Sequence, residues 1–360
     1  MLTALIFIVV LGVLVLVHEF GHFLFAKRAG MRVDEFGFGF PPRLLSWRKG
    51  ETRYSINAIP FGGFVKIMGE DGDERGPRSF ASASFSHRML VILAGVAMNV
   101  LLAAVFLMLV NFFGMRIGLS EGDTLGARNL QVQLVSVSEG SPAAAAGLQP
   151  LDAMAGYYED GRLIRIDSPK ELQDIVARHA GEPVVFQVGR GGDLIEKTIT
   201  PRVNPPEGQG ALGVSLALTG EVSYPWYEAI WRGIHNAAII TYHTVLAYYD
   251  LLKTLFIHGT LIAEVSGPIG IATLTGQAAD VGFNYLLQFV ALISINLAVL
   301  NVIPFPALDG GRAVLLIVEK LKGSPIPKQA EGMINMIGFY LLIMLMIYVT
   351  FKDLSKFFQN

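Results

Sequence analysis

Hydrophobic residues gather in this chain into four long runs, Leu2 to Phe25, Met89 to Met115, Tyr285 to Ile303 and Met333 to Phe351. Each is close to the roughly 20 apolar residues that cross a bilayer core, so four transmembrane helices are expected. A fifth run, Ile230 to Ile257, is broken by His235, Asn236, His243, Asp250 and Lys253. Asn236, His243 and Asp250 recur at intervals of seven and so share one helical face. This segment reads as an amphipathic helix in the membrane interface, with a fifth span as the alternative.

Between the second run and the fifth, apolar density falls and turn residues rise, which marks a separate domain. Leu130 to Val137 alternates as a strand does, and Ser141-Pro142 opens a short alanine-rich helix ended by Gly147. Ser168-Pro169-Lys170-Glu171 has the form of a capping box with proline at the first helical position, for a helix running to His179 and stopping before Gly181. Pro183 to Val188 and Leu194 to Thr200 flank a Gly191-Gly192 turn. Between the first two spans, Tyr54, Ile56 and Ala58 alternate with polar residues, and a turn at Gly62-Gly63 leads into Phe64 to Met68. The pattern predicts a membrane-associated β-hairpin, either capturing an unwound substrate along its edge or lying on the cytoplasmic surface.

The chain is 52% hydrophobic and 16% charged, which excludes one ordinary soluble domain. The formal net charge of -2 gives no basis for nucleic-acid binding. With no cysteine, disulfides and thiolate metal sites are excluded. The first run lacks a basic leader and a small-residue cleavage site, so it is expected to remain as a span rather than act as a signal peptide. Lys27, Arg28, Arg32, Arg43, Arg48 and Lys49 follow the first span, and Arg312, Lys320, Lys322 and Lys328 follow the third. The positive-inside rule makes both regions cytoplasmic and puts the segment from Arg116 to Asp280 outside.

The end of the first run carries the one strong chemical motif, His18-Glu19-Phe20-Gly21-His22. Residues four apart on a helix lie about 40° apart on one face and about 6 Å apart along the axis, so both imidazoles can reach one metal. That is the spacing of two zinc-ligating histidines with a glutamate left free as general base. A tetrahedral zinc then needs one more protein ligand and a water. His179, His235, His243 and His258 fall on the wrong side of the membrane, and His87 lies in a serine-rich stretch. The best-placed carboxylate is Asp309, in Asn301-Val302-Ile303-Pro304-Phe305-Pro306-Ala307-Leu308-Asp309-Gly310-Gly311, in the same leaflet as the histidines.

Taken together, these motifs resemble the site-2 protease family of intramembrane metalloproteases, in particular its bacterial branch of sigma-E regulators. The resemblance covers essentially the whole chain. Gly62-Gly63-Phe64-Val65-Lys66 is similar to that family's embedded β-loop, and Ser266-Gly267-Pro268-Ile269-Gly270-Ile271 to the segment before its third span. The second span keeps Gly95 and Asn99 of the family pattern but has Val96 where proline is usual. The outer domain resembles a single PDZ domain, with Leu151-Asp152 where such domains usually carry Gly-Asp.

The resemblance implies a polytopic α-helical membrane protein with four transmembrane helices, an inserted α/β PDZ domain and a membrane-associated β-hairpin. Its expected parts are residues 1–125, the first half of the protease core; residues 126–222, the PDZ domain; and residues 223–360, the amphipathic segment and second half of the core. It further implies zinc on His18, His22 and Asp309, Glu19 as catalytic base, and Asn301 at the substrate or oxyanion, while Gly62, Gly63 and Phe64 are the candidate substrate-binding residues of the hairpin. The expected partners are the lipid bilayer and single-pass membrane proteins, such as anti-sigma factors or remnant signal peptides. The PDZ domain is expected either to bind a peptide C-terminus or to exclude bulky ectodomains. The expected setting is the bacterial cytoplasmic membrane, with the active site near the cytoplasmic leaflet. The rival reading is a non-catalytic membrane adaptor that presents its PDZ domain and keeps a structural metal.

Overall fold

The structure is a computed structural model that describes residues 2–70, 76–119, 126–206, 208–258 and 267–359. Ser266 lies outside the described residues. The elements run α1 (Leu2–Arg28), β1 (Val33–Lys49), β2 (Thr52–Ile67), α2 (Phe85–Phe113), β3 (Met115–Leu119), β4 (Arg128–Val137), α3 (Pro142–Ala145), β5 (Ala153–Glu159) and β6 (Arg162–Arg165). They continue with α4 (Pro169–Arg178), β7 (Val184–Arg190), β8 (Asp193–Ile199), β9 (Val214–Val222), α5 (Trp226–His258), α6 (Pro268–Val281), α7 (Phe283–Val302), α8 (Asp309–Lys322) and α9 (Lys328–Gln359). The chain divides into two compact units. One comprises Met1–Leu107, Gly233–Gly276 and Gln288–Asn360, the other Met108–Arg232 and Gln277–Leu287.

Four helices are long and apolar enough to cross a membrane: Leu2–Arg28, Phe85–Phe113, Phe283–Val302 and Lys328–Ser355. The four expected spans fall on them, except that Gly114 and Ile303 lie just past the ends of the second and third helices and Met115 belongs to β3. The chain is a multi-pass membrane protein. The fifth run forms one unbroken helix of 33 residues, α5, which is not among the four.

α1 ends where glycine lets it. Gly30 takes a left-handed φ of 75°, the Gly30 N–H donates to Lys27 O and the Met31 N–H donates to Ala26 O. These are the two bonds of a Schellman cap, with Lys27 and Arg28 in the last turn favouring the negative helix end. Met31 and Ala26 are buried together in one core cluster with Val33, Ile67, Phe80 and Ile92, so the helix cap also anchors the strands that follow.

The expected hairpin is rearranged. Tyr54 to Ala58 and Phe64 to Met68 do not pair with each other across Gly62-Gly63. Instead Val33 to Phe38 of β1 lies between them, pairing with Arg53 to Ile56 on one side and with Gly63 to Ile67 on the other. The second half of β1 returns along β2, with Trp47 opposite Tyr54 and Lys49 opposite Thr52. Gly37 needs its missing side chain here, because a Cβ would strike the Phe64 ring. Local alternation showed strands but not their partner, which lies some twenty residues earlier in the chain. The rearrangement leaves Gly63 to Ile67 with one edge unpaired among the described residues.

The second unit is built on a seven-stranded sheet in the order β3-β9-β4-β5-β7-β8, with β6 paired to β5. Val132, Leu134, Met154, Leu172, Ile175 and Phe186 form the centre of its core. The helix starts are as the sequence predicts. Ser141 Oγ accepts from Ala144 N at 3.1 Å, and Ser168 Oγ accepts from Glu171 N at 3.1 Å. The reciprocal bond of the second cap goes one residue further out, from the Asp167 N–H to Glu171 Oε2 at 2.9 Å. Gly191 and Gly192 both have positive φ and close the β7–β8 hairpin, as the two-residue turn requires.

Candidate metal centre

α1 places His18 and His22 one turn apart, with their Nε2 atoms 3.2 Å from each other. Asp309 Oδ2 lies 3.0 Å from His18 Nε2 and 3.5 Å from His22 Nε2. Ligands about 2.0–2.1 Å from a tetrahedral zinc lie about 3.3 Å from one another. The three edges bracket that value, and Asp309 Oδ2 is buried with nothing facing it but the two imidazole nitrogens. A buried carboxylate oxygen left in this state is costly unless a cation completes it, so the donor set fits a small divalent metal. Among the described residues this is the one group of three such side chains close enough to share an ion.

Asp309 reaches α1 because of what surrounds it in sequence. Ile303 precedes Pro304 and α7 stops at Val302, as a residue before proline disfavours the helix. The chain turns through Ala307, at a φ of 72°, and restarts as α8 with Asp309 as its first residue. Gly310 and Gly311 lie against the carbonyl oxygens of Val302, Ile303 and Phe305, where any Cβ would collide. The two glycines therefore let the first turn of α8 tuck beneath the proline turn.

The histidines are held from behind. His22 Nδ1 lies 2.8 Å from Val91 O, and since a carbonyl only accepts, the ring carries its proton there and keeps the Nε2 lone pair for a metal. Asn99 Nδ2 lies 3.3 Å from His18 Nδ1, leaving Asn99 Oδ1 buried without a partner. A half-turn of the amide reverses the two atoms, so Oδ1 accepts the Nδ1–H and His18 is fixed as His22 is. Ser294 Oγ donates to Asn99 O at 2.8 Å, linking α7 to this point of α2. Asn99 and Ser294 are both fully buried.

A cavity of about 400 Å³ opens over the cluster, lined by His18, Glu19, His22 and Asp309 and by Phe64 to Ile67. Glu19 is half-buried, and a Cβ on Gly63 would lie 3.3 Å from its Cγ. Of the expected substrate residues, Phe64 lines the cavity, Gly63 backs Glu19, and Gly62 bends the chain at a φ of 124° beside Phe40. Asn301 sits in the last turn of α7 and does not line the cavity. Arg312 and Glu70 do line it, as an ion pair the sequence reading did not single out. Their only sequence signal is the spacing of Arg312 three residues after Asp309.

A His-His-Asp cluster built from a long apolar helix and the first residue of α8, with a carboxylate at its side, defines a membrane metalloenzyme. The model of peptidase family M50 matches residues 6–345. Zinc metalloprotease RasP of Geobacillus kaustophilus is 31% identical, the match covering 98% of this chain and 97% of that protein. RasP of Shouchella clausii is 30% identical over 99% of this chain and 100% of its own length. A Clostridium perfringens protein whose name also contains the words zinc metalloprotease is 36% identical over 95% of each chain. The chain belongs to peptidase family M50, and it is a metalloprotease.

Proposed function

We propose that this protein is a zinc endopeptidase that hydrolyses peptide bonds within or beside the transmembrane helix of a membrane protein, with His18, His22 and Asp309 holding the metal and Glu19 as general base. The observation that carries this reading is the convergence of the three ligand atoms, at 3.0, 3.2 and 3.5 Å, beneath a cavity that Glu19 also lines. Bound there, zinc polarises the scissile carbonyl and lowers the pKa of its water to about 7. The Glu19 carboxylate accepts the proton of the attacking water and passes it to the leaving amine nitrogen. Val91 O and Asn99 hold the two rings so that each Nε2 keeps its lone pair directed at the metal.

A helical substrate must unwind before its carbonyl is accessible. In lipid the freed backbone groups need partners, since unsatisfied ones cost several kcal/mol each, a roughly additive burden over the unwound turn. The open edge of Gly63 to Ile67 supplies a strand to pair with, and the cavity beside it receives the side chains. Gly62, Gly63 and Phe64 are assigned to this holding role.

The seven-stranded unit is read as a PDZ domain on the extracytoplasmic side, with the metal centre toward the cytoplasmic leaflet of the bacterial inner membrane. The support for this sidedness is the excess of Lys and Arg after the first and third spans. Single-pass proteins already trimmed outside the membrane, such as anti-sigma factors, and remnant signal peptides are the substrates this arrangement fits. The PDZ domain then acts on a new C-terminus or as a size filter.

Purified wild type and Glu19→Gln, assayed on a reporter with one membrane span, test the proposal. Both proteins should carry zinc and only the wild type should cleave. Full cleavage by Glu19→Gln would remove Glu19 from the mechanism.

A further inference from the structure

Arg312 shares the cavity with the metal-centre residues and has no part in the mechanism above. It lies three residues after Asp309 on α8, so both side chains leave the same face of that helix. Its guanidinium pairs with Glu70, which follows β2. A second cavity of about 100 Å³ adjoins the first, and the walls of both include Glu70, Phe80, Ile92 and Arg312. The pair therefore stands where the two spaces meet.

The charges around the larger cavity show what such a cation is for. Besides the histidines, its ionisable lining is Glu19, Glu70 and Asp309 against Lys66 and Arg312. Peptide hydrolysis adds another anion: the C–N bond breaks, a C–O bond forms, a proton goes to the amine, and the acyl fragment becomes a carboxylate. Three carboxylates already face that product. A guanidinium offers a planar fork that matches a carboxylate in two parallel hydrogen bonds. Lys66 is less suited, because it is an exposed residue of the strand edge that an extended substrate covers.

Building on the zinc-peptidase reading, we propose that Arg312 is a substrate-binding residue that receives the carboxylate of the newly formed C-terminus, with Glu70 aiming its guanidinium. The test uses the full-length Glu19→Gln protein loaded with zinc, and an apolar peptide ending either in a free carboxylate or in its amide. The carboxylate peptide should bind about tenfold tighter, the difference expected of a charge-assisted pair. Adding Arg312→Gln should bring the two peptides within about twofold of each other while zinc content stays the same. Exchanging the pair, Glu70→Arg with Arg312→Glu, should restore the ion pair but not the preference. A preference that survives Arg312→Gln, or that returns in the exchanged pair, overturns the proposal and leaves the pair as a scaffold; so does a parent protein without any preference. If Arg312→Gln loses zinc, Arg312→Lys replaces it, where a reduced preference supports the proposal and an undiminished one overturns it. Failure of the parent to bind zinc is a separate result, and it overturns the zinc-peptidase reading.

Discussion

Gly95 of α2 lies so close to His22 of α1 that a Cβ in place of its hydrogen would stand 2.5 Å from His22 Nε2, and 2.8 Å from His18 Nε2. The backbone of α2 is thus one wall of the metal centre, and glycine is what permits the approach. Gly21 makes the same approach from the other side, against Ala94 O. Gly95→Ala should push both rings off their shared focus and lower zinc affinity by about tenfold or more, within the range seen when groups behind a metal ligand are lost. Competitive titration with a zinc chelator measures this, and an unchanged affinity would mean that the rings do not depend on the wall.

Asn99 should behave as a positioning residue. Replacing it with alanine leaves the His18 Nδ1–H without its buried acceptor and should weaken zinc about 10- to 100-fold. Asn99→Asp keeps an acceptor at the same place and should restore most of the affinity. Equal losses in both variants, read by the same chelator titration, would point to a packing defect instead.

In the second unit, Leu151 holds a left-handed φ of 74° where a glycine would sit without strain, and Asp152 follows it at 2% exposure. The turn survives because the Leu151 N–H donates to Leu134 O, Gln149 N donates to Asp152 Oδ2, and Arg190 binds both Asp152 oxygens at 2.7 and 2.6 Å. The nearby carboxylate in turn raises the Arg190 pKa above its ordinary value. Leu151→Gly should therefore stabilise the turn by about 1 kcal/mol, the lower end of the cost of a left-handed non-glycine residue. Arg190→Met should destabilise the unit by about 3 kcal/mol, by stranding a buried carboxylate. Amide exchange across β4 and β5 in the intact protein reads both changes, and the account fails at this point if they share a sign.

The tip of the β1–β2 structure carries a pH-dependent tie. Glu51 accepts from Arg78 at 2.7 Å and from Lys27 at 2.8 Å, and these cations lower its pKa from an ordinary 4.5 to about 2. A depressed folded-state value means the tie contributes fully above the unfolded value and is lost as pH falls through the folded one. Protection of amides at residues 49–53 should hold from neutral pH to about 4.5 and then fall toward pH 2. Because the group is partly exposed, added salt should weaken the tie. Glu51→Gln should remove the pH dependence, and a protein whose tip loosens already between pH 7 and 6 would contradict the assignment.

What the sequence makes legible follows the range of the interactions involved. The histidine spacing, the serine caps and the glycine turn at 191–192 are local, set within about one helical turn, and they stand in the structure as the pattern predicts. Asp309 became readable only through a charge map that places distant segments in one leaflet. The pairing of Val33 to Phe38 between two lengths of β2 was not legible, because alternation identifies a strand without naming its neighbour. The same holds for β9, whose pairings with β3 and β4 bring Glu221 opposite both Arg116 and Arg128 across about a hundred residues of chain. α8 was hidden by its charges: Arg312, Lys320 and Lys322 stand out in the sequence only as a cytoplasmic basic cluster, yet they decorate one amphipathic helix that starts with Asp309. Asn99 carries no local signal for its contact with His18, since the two meet only when α1 and α2 pack.

X-ray absorption at the zinc edge of the purified Glu19→Gln protein tests whether His18, His22 and Asp309 hold the metal. About one zinc per chain is expected, bound only by nitrogen and oxygen at about 2.0–2.1 Å, with two imidazoles among its ligands. In Asp309→Asn the two imidazoles should remain while zinc occupancy falls. Zinc absent from the protein, or a ligand set unchanged in both occupancy and geometry by Asp309→Asn, would contradict that assignment.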